Sequence, residues 1–447
     1  MTRRVMPGSF HRGFEITITW FLVITITGAG VIGAHQSKSN FTRDHAKLVL
    51  RTIRDDVKKN YYDPNFHGID LDARFTAAEE KLASAESTGQ LMGIIAQVLL
   101  DFDDSHLFFL PPGRMSKIDY GWEMRAVGDK VYVTAVKPGS DAEDKGLKTG
   151  DRVVEVGGFE PTRENLWKLN YLFRSLRPQP GLRVILESPD GKRRQLDLMA
   201  NVRRGKQIMD LTSSVDYGDY IREMEDDDRL DRSRLAEFGE ELIIWKMPTF
   251  SIDTSHLSSA IGKIKNHKNV IIDLRGNGGG LVDICSRMVG AFFEQEFEIA
   301  QYKGRKEMKP MKSRNTGDRY TGKVIVLIDS RSASASEIFA RTIQLEKRGI
   351  VIGDRSAGAV MRSRRYSHEI GFDTIIPYGV SVTDADVIMK DGRSLEKTGV
   401  TPDELLLPTA ADMAAGRDPV LARAAELAGV RLDPQKAGSL FPLEWRK

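Results

Sequence analysis

The chain has 447 residues, 40% hydrophobic and 29% charged, a globular composition with room for two or three domains. Lysine and arginine total 66 against 63 acidic residues, a net charge of +3, which argues against a dedicated nucleic-acid binder. The single cysteine, Cys285, excludes an intramolecular disulfide and any multi-cysteine metal site; it reads as a buried structural thiol, and no metal or cofactor is expected.

Met1 to Gly13 carries Arg3, Arg4 and Arg12 without an acidic residue, and Ile16 to Ala34 is free of charge. Residues 1–35 therefore read as a signal peptide or a membrane anchor. The positive-inside bias leaves the N-terminus in the cytoplasm and the rest on the periplasmic or extracellular side. Residues 41–113 read as a helical unit. Leu48, Leu50, Ile53 and Val57 recur at helical spacing, as do Leu91, Ile94, Ile95, Val98 and Leu99. Asp101-Phe-Asp-Asp-Ser-His106 ends that unit. Between 117 and 200, Val131-Tyr-Val133 and Arg152 to Val156 alternate as short strands around Gly150-Asp151. Residues 201–240 are dense in charge and read as a solvated linker. Leu242 to Met247 opens a second set of apolar strands, and His256 and His267 read as solvent-facing.

Two strand-to-loop joints follow. Val270 to Leu274 leads into Arg275-Gly-Asn-Gly-Gly-Gly280, whose four glycines permit close approach of backbone to a ligand. Gly322 to Ser330 leads into Arg331-Ser-Ala-Ser-Ala-Ser-Glu337 and then a helix with Ile338, Phe339, Thr342 and Ile343 on one face. A hydroxyl at a strand-to-helix joint lies beside free backbone N–H groups, as an acyl-transfer nucleophile requires. Ser334-x-x-Glu337 is equally a capping box, which helices use for stability alone. Two such joints suggest one site at the carboxyl ends of a sheet. Strands at Ile350 to Gly353 and Ile375 to Val382, and a helix at Asp418 to Leu427, complete the reading.

The segments DLRGNGGG (273–280), SASASE (332–337), VIGDRSAG (351–358) and LEKTGVTPD (395–403) resemble, in order, motifs of the C-terminal processing peptidases and their tricorn-like relatives. The resemblance runs from Phe41 to about Val430. It implies a multidomain fold of mixed α+β and α/β class. Its parts would be an N-terminal helical unit, a PDZ-like β-rich domain at 117–200 and a crotonase-like ββα catalytic core at 241–447. It further implies Ser334 as nucleophile, with the N–H groups of Ala335 and of the Gly278–Gly279 turn as oxyanion donors. Tyr120-Gly121-Trp122-Glu123 falls at the PDZ carboxylate loop, which captures a peptide terminus, and departs from its usual small apolar pattern. Ala359 stands where the processing peptidases carry a base lysine, and no lysine occurs between Lys347 and Lys390. In the tricorn-like branch a Ser-His pair at the place of Ser105-His106 supplies the base. An imidazole of ordinary pKa, about 6.5, suits that role. Glu396 would orient the hydroxyl and imidazole, or be a salt-bridging turn residue. The implied function is a serine endopeptidase acting on protein or peptide substrates near their C-termini. An inactive peptide-binding scaffold and an esterase are the alternatives.

Overall fold

The computed structural model describes residues 41–113, 116–204, 232–315, 317, 319–371 and 375–445. The expected signal or anchor segment lies outside them, as does 205–231, the middle of the charged stretch. Among the described residues no helix is long and apolar enough to cross a membrane.

Three helices come first: α1 (Arg43–Asn60), α2 (Leu71–Ala83) and α3 (Thr88–Leu100). Thr42, Asp70 and Ser87 cap them by accepting from the N–H of His45, Ala73 and Gln90. Val49, Leu50, Ile53, Val57, Ile95 and Leu99 face one core with Phe109 of β1 (Phe108–Leu110). Leu48 does not: it is 54% exposed, because Val49 rather than Leu48 continues the inward stripe.

A separate five-stranded antiparallel sheet follows, in the order of its strands. These are β3 (Trp122–Val127), β4 (Lys130–Val136), β5 (Arg152–Val156), β6 (Gly181–Glu187) and β7 (Arg193–Met199). Two short helices, α4 (Asp141–Asp144) and α5 (Leu166–Tyr171), accompany it. The flanking strands β2 (Ser116–Asp119) and β8 (Asn201–Arg204) pair with each other, so chain entry and exit lie side by side. The sheet has its own core, including Trp122, Val133, Val153, Phe173 and Leu186.

The C-terminal half is built on a six-stranded sheet. It comprises β9 (Arg234–Phe238), β10 (Leu242–Lys246), β11 (Asn269–Asp273), β14 (Lys323–Ile328), β15 (Gly349–Gly353) and β18 (Glu404–Leu405). All pairs but β9–β10 are parallel. Both faces are covered, which is why the central strands β10, β11 and β14 read as largely apolar runs. Ile243, Trp245, Ile272, Val324 and Val326 meet α6 (Thr254–Ile264), α7 (Val282–Gly290) and α8 (Ala335–Leu345). Leu242, Ile244, Ile271, Ile325 and Leu327 meet α10 (Pro419–Leu427) and α11 (Pro434–Ser439), which follow the short α9 (Ala410–Ala414). A second sheet joins β1, β17 (Ile376–Met389), β12 (Glu298–Lys303) and β13 (Met311–Lys312), with β16 (Met361–Ile370) on β17. Tyr378, Val380 and Val382 of β17 close the core of the N-terminal helices.

Of the two histidines expected in solvent, His256 is exposed beside Asp253. His267 is buried: its Nδ1 lies 3.1 Å from the Lys263 carbonyl and its Nε2 3.7 Å from Glu237 of β9. The turn that ends α6 folds the ring back under the edge strand, which local polarity does not announce.

The β3–β7 sheet is clamped to the C-terminal half by Arg163. Its guanidinium donates to the Gly128 and Arg355 carbonyls, both at 2.9 Å, and pairs with Asp354. Both side chains are under a tenth exposed, and Asp354 also accepts from the Gly128 N–H at 2.9 Å. Breaking a buried pair from one side costs about 3–5 kcal/mol. Arg163→Ala is expected to lose stability on that scale in urea unfolding. A loss under about 1 kcal/mol, the size of a surface pair, would show that Arg163 is not the clamp.

Candidate active site

The three serines of the joint after β14 differ in what their hydroxyls do. Ser332 and Ser336 are fully buried, donating to the Leu274 and Asn277 carbonyls at 2.8 and 2.9 Å. Ser334 alone is partly exposed. Its backbone is at φ +55°, ψ −116°, a conformation that L-residues adopt at a cost of about 1–3 kcal/mol and keep only where the surroundings over-determine it. Here the Ser334 N–H donates to the Ala359 carbonyl at 2.9 Å and to Glu337 Oε2 at 3.0 Å. Ala335 is the first residue of α8, so its N–H has no intrahelical acceptor.

The glycine loop presses against this turn from the end of β11. Arg275 grips Asp273 at 2.9 and 2.8 Å and Asp418 at 2.9 and 2.7 Å. Lys246 Nζ donates to the Arg275 carbonyl at 2.6 Å. Those ionic neighbours hold the buried Asp273 carboxyl well below its usual range, although burial opposes them. Asn277 is wholly buried; its carbonyl takes the Ala333 N–H at 3.0 Å and its Oδ1 takes the Gly279 N–H at 2.9 Å. Gly279, at φ +98°, packs so closely that a Cβ there would lie 2.7 Å from Ser334 Cβ. Of the expected oxyanion donors, Gly279 is therefore already committed. Among the described residues the N–H groups of Gly278 and Ala335 donate to no hydrogen bond. Cys285 sits behind them, buried, with its thiol pushed up to about 12 by burial.

Ser105, His106 and Glu396 form one hydrogen-bonded chain across 291 positions of sequence. Glu396 Oε1 accepts the Ser105 N–H at 3.0 Å and Oε2 accepts the Ser105 hydroxyl at 2.8 Å. The same hydroxyl lies 2.8 Å from His106 Nδ1. A hydroxyl that donates to a carboxylate can only accept from the ring, so Nδ1 carries the proton and Nε2 is left as acceptor. Burial lowers the His106 pKa below its usual value, against the pull of Asp104. Burial likewise raises Glu396. Asp104, buried, fixes the turn by accepting from His106 N–H, Leu107 N–H, the Thr383 hydroxyl and the Tyr61 hydroxyl at 2.8, 3.1, 2.7 and 3.0 Å.

The relay and the serine turn meet at Ala359-Val360. The Ala359 carbonyl takes the Ser334 N–H, and the Val360 N–H donates to Glu396 Oε2 at 2.8 Å. Among the described residues no hydrogen bond joins the His106 ring to the Ser334 hydroxyl. Tyr120, Gly121, Trp122 and Glu123 lie elsewhere. Tyr120 and Trp122 are buried in the β3–β7 core, and the Gly121 N–H is already donated to Asp119 at 2.9 Å. That removes one donor from the expected carboxylate loop. Glu123 instead pairs with Arg331 at 3.0 Å, three residues before Ser334. Sequence reasoning gave Asn277 and Asp104 no role and Glu337 only a capping one. The capping-box spacing was the one available signal for Glu337.

Residues 242–406 match the model of peptidase family S41. The Tail-specific protease of Haemophilus influenzae is 27% identical over 292 residues, 63% of this chain and 39% of that protein. The chain thus matches well under two thirds of that relative's length. The Carboxy-terminal processing protease CtpA of Bacillus subtilis is 25% identical over 390 residues, 85% of this chain and 73% of that one. A solved structure of mature CPAF complexed with lactacystin shares the fold at a TM-score of 0.60 and 15% identity, covering 83% of this chain and 95% of the other. The two loops that meet at Ser334 thus lie within the stretch, residues 242–406, that is similar to peptidase family S41.

Proposed function

We propose that this protein is a serine endopeptidase that cleaves peptide bonds of protein substrates near their C-termini. Ser334 is its nucleophile and His106 its general base. The observation that carries the reading is the polarity of the Glu396–Ser105–His106 chain, which presents His106 Nε2 as an acceptor. His106 takes the Ser334 hydroxyl proton as Oγ attacks the carbonyl carbon, and the carbonyl electron pair moves to oxygen. The Ala335 and Gly278 N–H groups receive that oxyanion. The imidazolium, steadied through Ser105 by Glu396, then protonates the departing amine. Water repeats the sequence on the acyl-enzyme, with His106 again taking the proton. Since the base must be neutral, activity falls as pH drops through a His106 pKa below its usual value.

The β3–β7 sheet is read as the PDZ-like domain (117–200) and residues 241–447 as the crotonase-like core. Arg3, Arg4 and Arg12 before the uncharged 16–34 run support export. Ala359 at the lysine position favours a second reading, an inactive peptide-binding scaffold. A fluorophosphonate probe separates the two: labelling is expected on Ser334 and lost in Ser334→Ala. An unlabelled wild-type chain, or labelling that persists in the variant, would overturn the assignment. Parallel ester and peptide substrates distinguish an esterase.

A further inference from the structure

Glu337 is wholly buried, and the reaction above makes no use of its carboxyl group. Its oxygens accept four hydrogen bonds. Oε2 takes the N–H groups of Ser334 and Ala359, each at 3.0 Å. Oε1 takes the Gly358 N–H at 2.8 Å and the Ser356 hydroxyl at 2.6 Å. The first donor belongs to the strained residue of the turn, at φ +55°. The other three belong to the loop whose Val360 N–H is held by Glu396.

We propose that Glu337 is a positioning residue: its ionised carboxylate ties the Ser334 turn to the 356–360 loop and so keeps the nucleophile in register with the Glu396–Ser105–His106 relay. This rests on the roles given above to Ser334 and His106. Three of its four partners are N–H groups, which cannot accept a proton. A protonated Glu337 can donate only to Ser356, whose Oγ already receives the Val400 N–H at 2.6 Å. Protonation therefore sets the carboxyl against the donors that hold the strained turn. Burial raises Glu337 to about 7, against the pull of all four hydrogen bonds. Its partners from α8 and from the loop are neutral. The titratable and charged groups around this tie are Glu396, which takes the Val360 N–H, Asp354 and Arg355 before Ser356, the Cys285 thiol against the Ala335 carbonyl, and His106 beyond Ser105. Lys397 is the other: its N–H donates to the Gly358 carbonyl at 2.7 Å while its Nζ pairs with Asp103.

Turnover of the full chain is then expected to show two protonation steps on its acid side, the upper one from Glu337. Glu337→Gln, which can satisfy only one oxygen's donors, should remove the upper step and lower kcat roughly 10²-fold at alkaline pH with KM little changed. Ser356→Ala removes a donor to the anion and should move the upper step to higher pH. Hydrogen exchange reads the same tie without activity. Relative to intrinsic rates, protection of 331–337 and 356–360 should fall roughly ten-fold as the ionised fraction drops from about pH 8 to 6. In Glu337→Gln it should already be low at alkaline pH. A folded Glu337→Gln protein with wild-type kcat, flat wild-type protection, or a Ser356→Ala step that stays or moves down would overturn the proposal. If Glu337→Gln does not fold, Ser356→Ala and wild-type exchange decide. A wild-type chain without turnover would refute the peptidase reading instead, and exchange would still test the tie.

Discussion

His106→Ala is expected to lower peptide turnover about as far as Ser334→Ala, on the order of 10⁴-fold or more, and the double variant to lose little beyond either. On the proposed mechanism the two groups act as one unit: without Nε2 to take its proton, the Ser334 hydroxyl would be a poor nucleophile at neutral pH. Lys347 and Lys390 are the lysines that flank the loop where the related peptidases carry their base, and neither lies in it. Lys390 is spent on Glu346 at 2.7 Å, and Lys347 ends the turn after α8 at φ +52°. Alanine at either is expected to leave turnover nearly intact. The measurement is kcat/KM on one peptide substrate, with circular dichroism confirming each variant's fold. A folded His106→Ala protein with near-normal turnover would end the histidine-base reading.

Gly279→Ala is expected to disturb the Ser334 turn directly. A Cβ at Gly279 would meet Ser334 Cβ at 2.7 Å, the Ala333 carbonyl oxygen at 2.8 Å and the Ala335 nitrogen at 3.0 Å. Two of these are backbone atoms and cannot swing aside. The φ of +98° is also one that alanine resists. The Ser334 turn and the Ala335 donor must therefore shift. The expected loss in kcat is about 10²–10³-fold, the cost of an oxyanion donor, with slower fluorophosphonate labelling. The strain adds about 1–3 kcal/mol of lost stability in thermal unfolding. Near-wild-type kcat would mean that the oxyanion donors lie away from this turn.

Much of this protein was legible before its structure. The apolar runs at 242–245, 270–272 and 324–328 declare strands because a parallel sheet buried on both faces needs apolar side chains at successive positions. Glycine and small-residue clusters mark joints, since only they tolerate positive φ and close backbone contact. Ser334, His106, Ser105 and Glu396 were named from a family resemblance, and the structure joins Ser105, His106 and Glu396 in one hydrogen-bonded chain. What the sequence left open depends on contacts between distant segments. Leu48 and His267 needed packing partners to settle which way they face. Three serines in one short motif look alike until the Leu274 and Asn277 carbonyls claim two of them. Gly278 and Gly279 are interchangeable on paper, and only the Asn277 side chain makes one N–H unavailable. The Ser105–Glu396 bond spans 291 positions, and the proton on His106 Nδ1 is assigned by that bond alone. Glu337 reads as a helix cap because capping is local, whereas three of its four donors arrive with the 356–359 loop. Periodicity and turn chemistry act within a few residues and can be read along the chain. Hydrogen-bond allegiance, burial and the pKa values that follow from them belong to groups that only the fold brings together.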